Sequence, residues 1–335
     1  MSEPADDEQS VDADDGPGGG ARDEHARGLT ETPAGVRRRS IRVVRAVLLL
    51  AAFGLGVYAI ARDLTGFTEA VQQIGWLRGV VAFVLVVVGL YGSAATWRAC
   101  VASMVGVLPW RQVRQAFFVT QLGKYLPGGL WTVLAQVDVA KRLGLSRSRM
   151  GMGAVLFLVF HVLTALLVAA LLLPWVALDL LGSYWWSFVL ALPLLLVLIP
   201  SVLSRVIDLG LRLLRGGGLP VPLRSRDVAE PVGWLAVTWF AYGAAVFVLV
   251  RPLSPDTGAG TLFVIATGGF ALAWAVGVLV VPAPAGLGPR EVVLYLALIP
   301  VAGAAGATSV TIVVRVVHTL SDLVLAGIHV RRLPP

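Results

Sequence analysis

The sequence predicts an all-α polytopic membrane protein with about six full spans and two re-entrant hairpins in an inverted repeat, and three observations predict it. Apolar residues make up 57% of the chain and charged residues only 14%, a hydropathy that excludes a soluble domain. Seven apolar runs, at 43–61, 76–96, 151–173, 184–203, 232–250, 262–281 and 307–330, are close to the length of about 20 helical residues that crosses a roughly 30 Å hydrocarbon core. Two segments, QLGKYLPGGLWTVLAQ at 121–136 and VPAPAGLGPREVVL at 281–294, are interrupted by proline and glycine.

Residues 1–40 stand apart. They carry about ten acidic side chains and a Gly-Pro-Gly-Gly-Gly run with few large apolar groups, so they cannot bury enough surface to fold and read as a disordered acidic tail. No basic start followed by a short apolar stretch and a cleavage site is present, so the first run is expected to stay as an anchor. The membrane domain is placed at 41–333.

Basic loops mark the cytoplasmic side of a membrane protein. Arg37, Arg38 and Arg39 before the first run put the N-terminus inside, and the weakly charged segment 62–75 then lies outside. Arg98, Arg111 and Arg114 bring the chain back. After the first broken segment, Lys141, Arg142, Arg147 and Arg149 again belong inside. A segment of about 26 residues with both ends on one side must turn back within the membrane, and each limb of about 11 residues reaches roughly 16 Å, near the midplane.

The next runs lead out to Asp179, back to the basic loop 205–230, and out again to Arg251 and Asp256. From there 262–281 descends into the second interruption, with Pro282, Pro284, Gly286, Gly288 and Pro289. If the short apolar stretch 292–301 climbs outward, the last run ends inside at Arg331 and Arg332, which makes both termini cytoplasmic. Each half then has a broken hairpin in the same place, inserted from opposite sides, the pattern of transporters with midplane sites. Charge parity alone also allows eight spans, because the 20 residues of 262–281 suffice to cross.

The broken segments hold the candidate site. In hydrocarbon, irregular backbone is tolerated only where it packs in protein or lines a wet cavity. Lys124, before the predicted tip at Pro127, Gly128 and Gly129, is placed to hold a lipid phosphate; the plainer alternative is a lysine that reaches the interface. Tyr125 and Trp131 flank that tip with polar-edged rings. Arg290 and Glu291 open a new helix, whose N–H groups and dipole favour an anion, or else form a local pair. Gly286 and Gly288, like Gly128 and Gly129, would let backbone approach a headgroup.

Arg315, His318 and Asp322 in the last run share one helical face. Ionisable groups inside a span pair with one another and are functional candidates, here an intramembrane polar relay in which Asp322 pairs with Arg315, Lys124 or Arg290. A static buried pair is the alternative to proton coupling. His161 reads as a hydrogen-bonded packing residue beside Thr164, and Asp138 as part of a helix-end salt bridge.

The pattern LGKYLPGGLW followed far downstream by PAGLGPREVVL resembles the lysylphosphatidylglycerol synthase transmembrane region, also called the flippase-like domain family, over about residues 41–332. The resemblance implies a membrane unit that translocates aminoacylated phosphatidylglycerol in two-domain relatives. With the chain ending at Pro335, it does not carry lipid aminoacylation here and implies translocation of a phospholipid or lipid-linked group.

A single cysteine, Cys100, excludes disulfides within the chain and cysteine-based metal sites, and no phosphate loop, zinc helix or nucleophile elbow occurs. The expected protein is therefore a flippase of the cytoplasmic membrane, not an enzyme, with no cofactor and no metal. Its expected partners are membrane phospholipids, with no nucleic acid, and a separate lipid-modifying enzyme or a second copy of the chain is compatible with the sequence. A small-solute secondary transporter and a membrane-embedded lipid-carrier transferase are the alternatives.

Overall fold

The computed structural model of the chain describes residues 64–125, 131–142, 144–174, 186–213, 222–280 and 286–330. The acidic tail, the first apolar run, Pro127, Gly128, Gly129, Pro282, Pro284 and Arg331 with Arg332 lie outside these residues. Among the described residues the fold is all helical, with no strand. The helices are α1 (Leu64–Val105), α2 (Trp110–Gln121) continued by a 3₁₀ turn (Leu122–Tyr125), α3 (Trp131–Arg142), α4 (Arg147–Leu172), α5 (Trp186–Val197), α6 (Pro200–Leu213), α7 (Ser225–Val250), α8 (Ala259–Leu279) and α9 (Pro289–Val330).

Five of them, α1, α4, α7, α8 and α9, are long and apolar enough to cross a membrane. By contrast α2 and α3, with 12 residues each, reach only about 18 Å apiece. The run at 184–203 is sharply bent, as a broken span or a re-entrant turn. Residues 191–197 and 200–210 meet at 86°, because Pro200 lacks an N–H and bars the α conformation to Ile199 before it. The turn is closed instead by Leu198 and Ile199 N–H groups donating to the carbonyls of Leu195 and Leu196.

Two glycines reverse the chain. Gly303 has φ 67° and ψ 176°, and the Glu291 and Arg315 side chains, twelve positions before it and twelve after it, approach to 3.2 Å. A straight helix would hold them about 36 Å apart, so α9 is an arm, 289–302, folded back on a span, 304–330. Gly144, with φ 67°, does the same in the first half: a Cβ on Gly151 would sit 3.5 Å from Val137, seven positions either side of it.

The arm also runs antiparallel to α8. Added Cβ atoms at Gly277 and Gly269 would lie 3.0 Å from Arg290 and 2.7 Å from Ala297, respectively, and the Ser254 hydroxyl donates to the Val301 carbonyl at 2.9 Å. The chain thus leaves the loop before α8 and, along the arm of α9, returns to that loop.

The two halves meet mainly through α1 and α7, the most extensive helix pair. Their backbones come close because Gly89 and Gly92 face Tyr242 and Thr238, and the Thr238 hydroxyl reaches the Gly89 carbonyl at 3.3 Å. With no hydrophobic drive between helices in lipid, such small-residue contacts supply the packing. Trp97 of α1 donates its indole N–H to Gln136 of α3 at 2.9 Å, which pins the end of the first broken segment to α1.

Candidate functional site

The last span receives both broken segments, from opposite ends. Phe118 of α2 packs on His329 with ring centroids 5.1 Å apart, and seven residues further along the chain Tyr125 meets Asp322. The first segment therefore runs up the span from its C-terminal end. The second reaches Arg315 through Glu291 after descending from the Gly303 end. The two contact points, Arg315 and Asp322, are seven residues or about 10 Å apart along the helix.

At the first tip, Lys124 Nζ lies 2.6 Å from Asp322 Oδ2, and the Tyr125 hydroxyl donates to the same oxygen at 2.6 Å. The Asp322 side chain is only 3% exposed, so both partners are needed to hold a charge that water does not reach. Of the three pairings open to Asp322 from the sequence, the structure takes the one with Lys124. The lysine is also 5.5 Å from the centre of the Tyr125 ring, a cation–π contact.

At the second tip the Gly288 N–H donates to Glu291 Oε2 at 2.7 Å, so Glu291 caps the helix that Pro289 opens. Its other oxygen takes Arg315 across the fold, not the adjacent Arg290. Gly286, with φ 70°, lies against α8 so tightly that a Cβ would stand 2.9 Å from the Gly277 Cα. Arg290 is stacked over Phe270 at 4.8 Å, and its buried Nη2 has no hydrogen-bond partner among the described residues.

His318, between the two contact points, does not join them. Its Nδ1 donates to the Val314 carbonyl at 2.9 Å, and Nε2 has no hydrogen-bond partner among the described residues. The ring stacks on Phe270 with centroids 5.1 Å apart and lies 5.1 Å from Tyr242. Arg315, His318 and Asp322 thus share a face but take different partners. Tyr242 and Phe270 are members of this cluster that sequence reasoning missed, since an aromatic in an apolar run looks like any packing residue.

His161 is buried next to this cluster, linked to Tyr242 through the Trp239 ring, whose centroid lies 6.1 Å from that of His161 and 6.2 Å from that of Tyr242. Its Nδ1 donates to the Phe157 carbonyl at 3.1 Å, which leaves Nε2 to accept from the Ser93 hydroxyl at 3.4 Å. Trp239 donates to Thr164 beside it at 3.0 Å. Among the described residues no group of histidine, cysteine or carboxylate side chains is arranged to hold a metal. Of Trp131 only the backbone at the start of α3 is described.

The family model of the lysylphosphatidylglycerol synthase TM region matches residues 41–326. The chain belongs to that family. Within this lysylphosphatidylglycerol synthase TM region the match spans both broken segments and the last span through Asp322, so the whole cluster lies inside it. No curated protein matches the chain.

Proposed function

We propose that the chain is a flippase, in which two re-entrant hairpins hand the phosphate-bearing headgroup of a lipid along the last span while the acyl chains stay in the bilayer. The observation that carries this is Arg290, whose buried Nη2 has no partner among the described residues at the point where the two broken segments converge. Lys124, Arg290 and Arg315 face two carboxylates, Glu291 and Asp322, which leaves a positive excess suited to an anion. Broken segments entering from opposite sides, with a half-helix N-terminus at the site, are a transporter arrangement.

Each carboxylate is already ion-paired, which disfavours a role as general base and a transferase reading. The two pairs tie each tip to the last span. A headgroup phosphate that replaces Asp322 on Lys124, or Glu291 on Arg315, would free one tip and so admit the lipid from one side at a time. The end carrying Arg98, Arg111 and Arg114 is the cytoplasmic one in this reading.

Leaflet exchange in liposomes tests it, with labelled anionic, zwitterionic and aminoacylated phospholipids. Exchange faster than in protein-free liposomes, and slowed in Arg290→Ala, is the expected result; no acceleration with any of these lipids, with or without a proton gradient, would remove the proposal.

A further inference from the structure

We infer that a phospholipid occupies a built site on the outside of the α1–α7 pair, with one acyl chain in a crevice there and its phosphate on Arg98. The crevice has a volume of about 340 Å³. Its walls come from Val87, Val88 and Tyr91 of α1, Trp234 and Val237 of α7, and Trp110 at the start of α2. Most of its lining belongs to two of the helices that are long enough to cross the membrane.

An almost wholly apolar crevice offers water no partners. At this position the surrounding solvent is lipid, so an acyl chain is the filler of matching chemistry. The small residues Gly92 and Ala95 form the floor, and the exposed Val88, Val237, Trp110 and Trp234 form the rim. The crevice follows α1 for about 12 Å, from residue 87 to residue 95.

Charge complementarity identifies the rest of the occupant. One turn beyond the crevice, the Arg98 guanidinium stacks over Trp110 at 5.2 Å and its Nε donates to the Leu108 carbonyl at 3.0 Å. These two contacts fix the group and leave the Nη nitrogens for a ligand. Trp110 is shared, since the same ring walls the crevice and supports the cation. An arginine held in this way at the end of an apolar groove matches a lipid with its phosphate at the interface and its tail along α1. Among the described residues no hydrogen bond or ring contact joins Arg98 or Trp110 to Lys124, Arg290, Glu291, Arg315 or Asp322, so the inference is tested apart from the translocation reading.

Native mass spectrometry of the delipidated full chain, titrated with phosphatidylglycerol and separately with a long-chain alcohol as a tail-only probe, tests both halves. The expected result is saturable binding of one phosphatidylglycerol, weakened at least tenfold by Val88→Phe, which fills the crevice from its exposed rim. Arg98→Gln should weaken phosphatidylglycerol by a similar factor and leave the alcohol unaffected. Val237→Phe, on the facing rim, repeats the filling test should Val88→Phe not fold. Wild-type binding retained in the filled variant, or equal loss of both probes in Arg98→Gln, would overturn the assignment.

Discussion

The Tyr125 hydroxyl and the Asp322 carboxylate, 197 positions apart, share a 2.6 Å hydrogen bond, and Lys124 reaches the same oxygen. One carboxylate oxygen thus ties the first broken segment to the last span. Because the carboxylate is buried, removing its cation should cost far more than removing the pair. Lys124→Met is expected to lower stability by about 3 kcal/mol, and Lys124→Met with Asp322→Leu to recover most of that loss. Unfolding of the detergent-solubilised protein, read as a double-mutant cycle, measures both; additive losses would contradict the pairing.

Two glycines with nearly the same positive φ should respond differently to a methyl group. Gly303 and Gly286 have φ 67° and 70°, so alanine at either meets backbone strain on the order of 1–3 kcal/mol. At Gly303 a Cβ finds open space, whereas at Gly286 it meets the backbone of Gly277 at 2.9 Å. Gly286→Ala is therefore expected to destabilise by at least about 1 kcal/mol more than Gly303→Ala. Equal shifts in unfolding would show that the second tip does not press on α8.

Arg290 should matter to transport through its shape as well as its charge. A hydrogen bond from a charged group contributes about 1.5–3 kcal/mol, so Arg290→Ala is expected to slow leaflet exchange by about 10- to 100-fold. Arg290→Lys keeps the charge and loses the planar fork over Phe270, and should fall between. Exchange in Arg290→Lys as slow as in Arg290→Ala would assign the whole effect to the planar group.

The architecture was legible in the sequence where physical chemistry leaves few options. Polar and strained residues inside apolar runs had to meet something, and Lys124, Arg290, Glu291, Arg315 and Asp322 do converge on the last span. The partners were less legible. Glu291 follows Arg290 directly, yet Gly303 folds the chain so that Arg315 arrives instead, a contact that only the reversal creates. Phe270 and Tyr242 carry no distinguishing pattern, because an apolar helix gives no sign of which ring will face an arginine. The bend between α5 and α6 was signalled by Pro200, but mean hydropathy over 184–203 masks it.

Packing between α1 and α7 should depend on glycines whose neighbours are rigid. A Cβ on Gly89 would lie 2.4 Å from the buried Tyr242 ring, while one on Gly233 of α7 would meet nothing within 4 Å. Gly89→Ala is expected to destabilise by about 1–3 kcal/mol, and Gly233→Ala to stabilise by up to about 1 kcal/mol through helix propensity. Thermal unfolding of the two variants side by side checks the contrast.

Everything proposed for the site depends on the two broken segments entering from opposite faces of the membrane. Single cysteines in a Cys100→Ser background, at Val107 before α2 and at Asp256 before α8, report this directly when sealed vesicles of uniform orientation are treated with a membrane-impermeant maleimide. One position should label at once and the other only after the vesicles are opened. Labelling of both from the same side would contradict it.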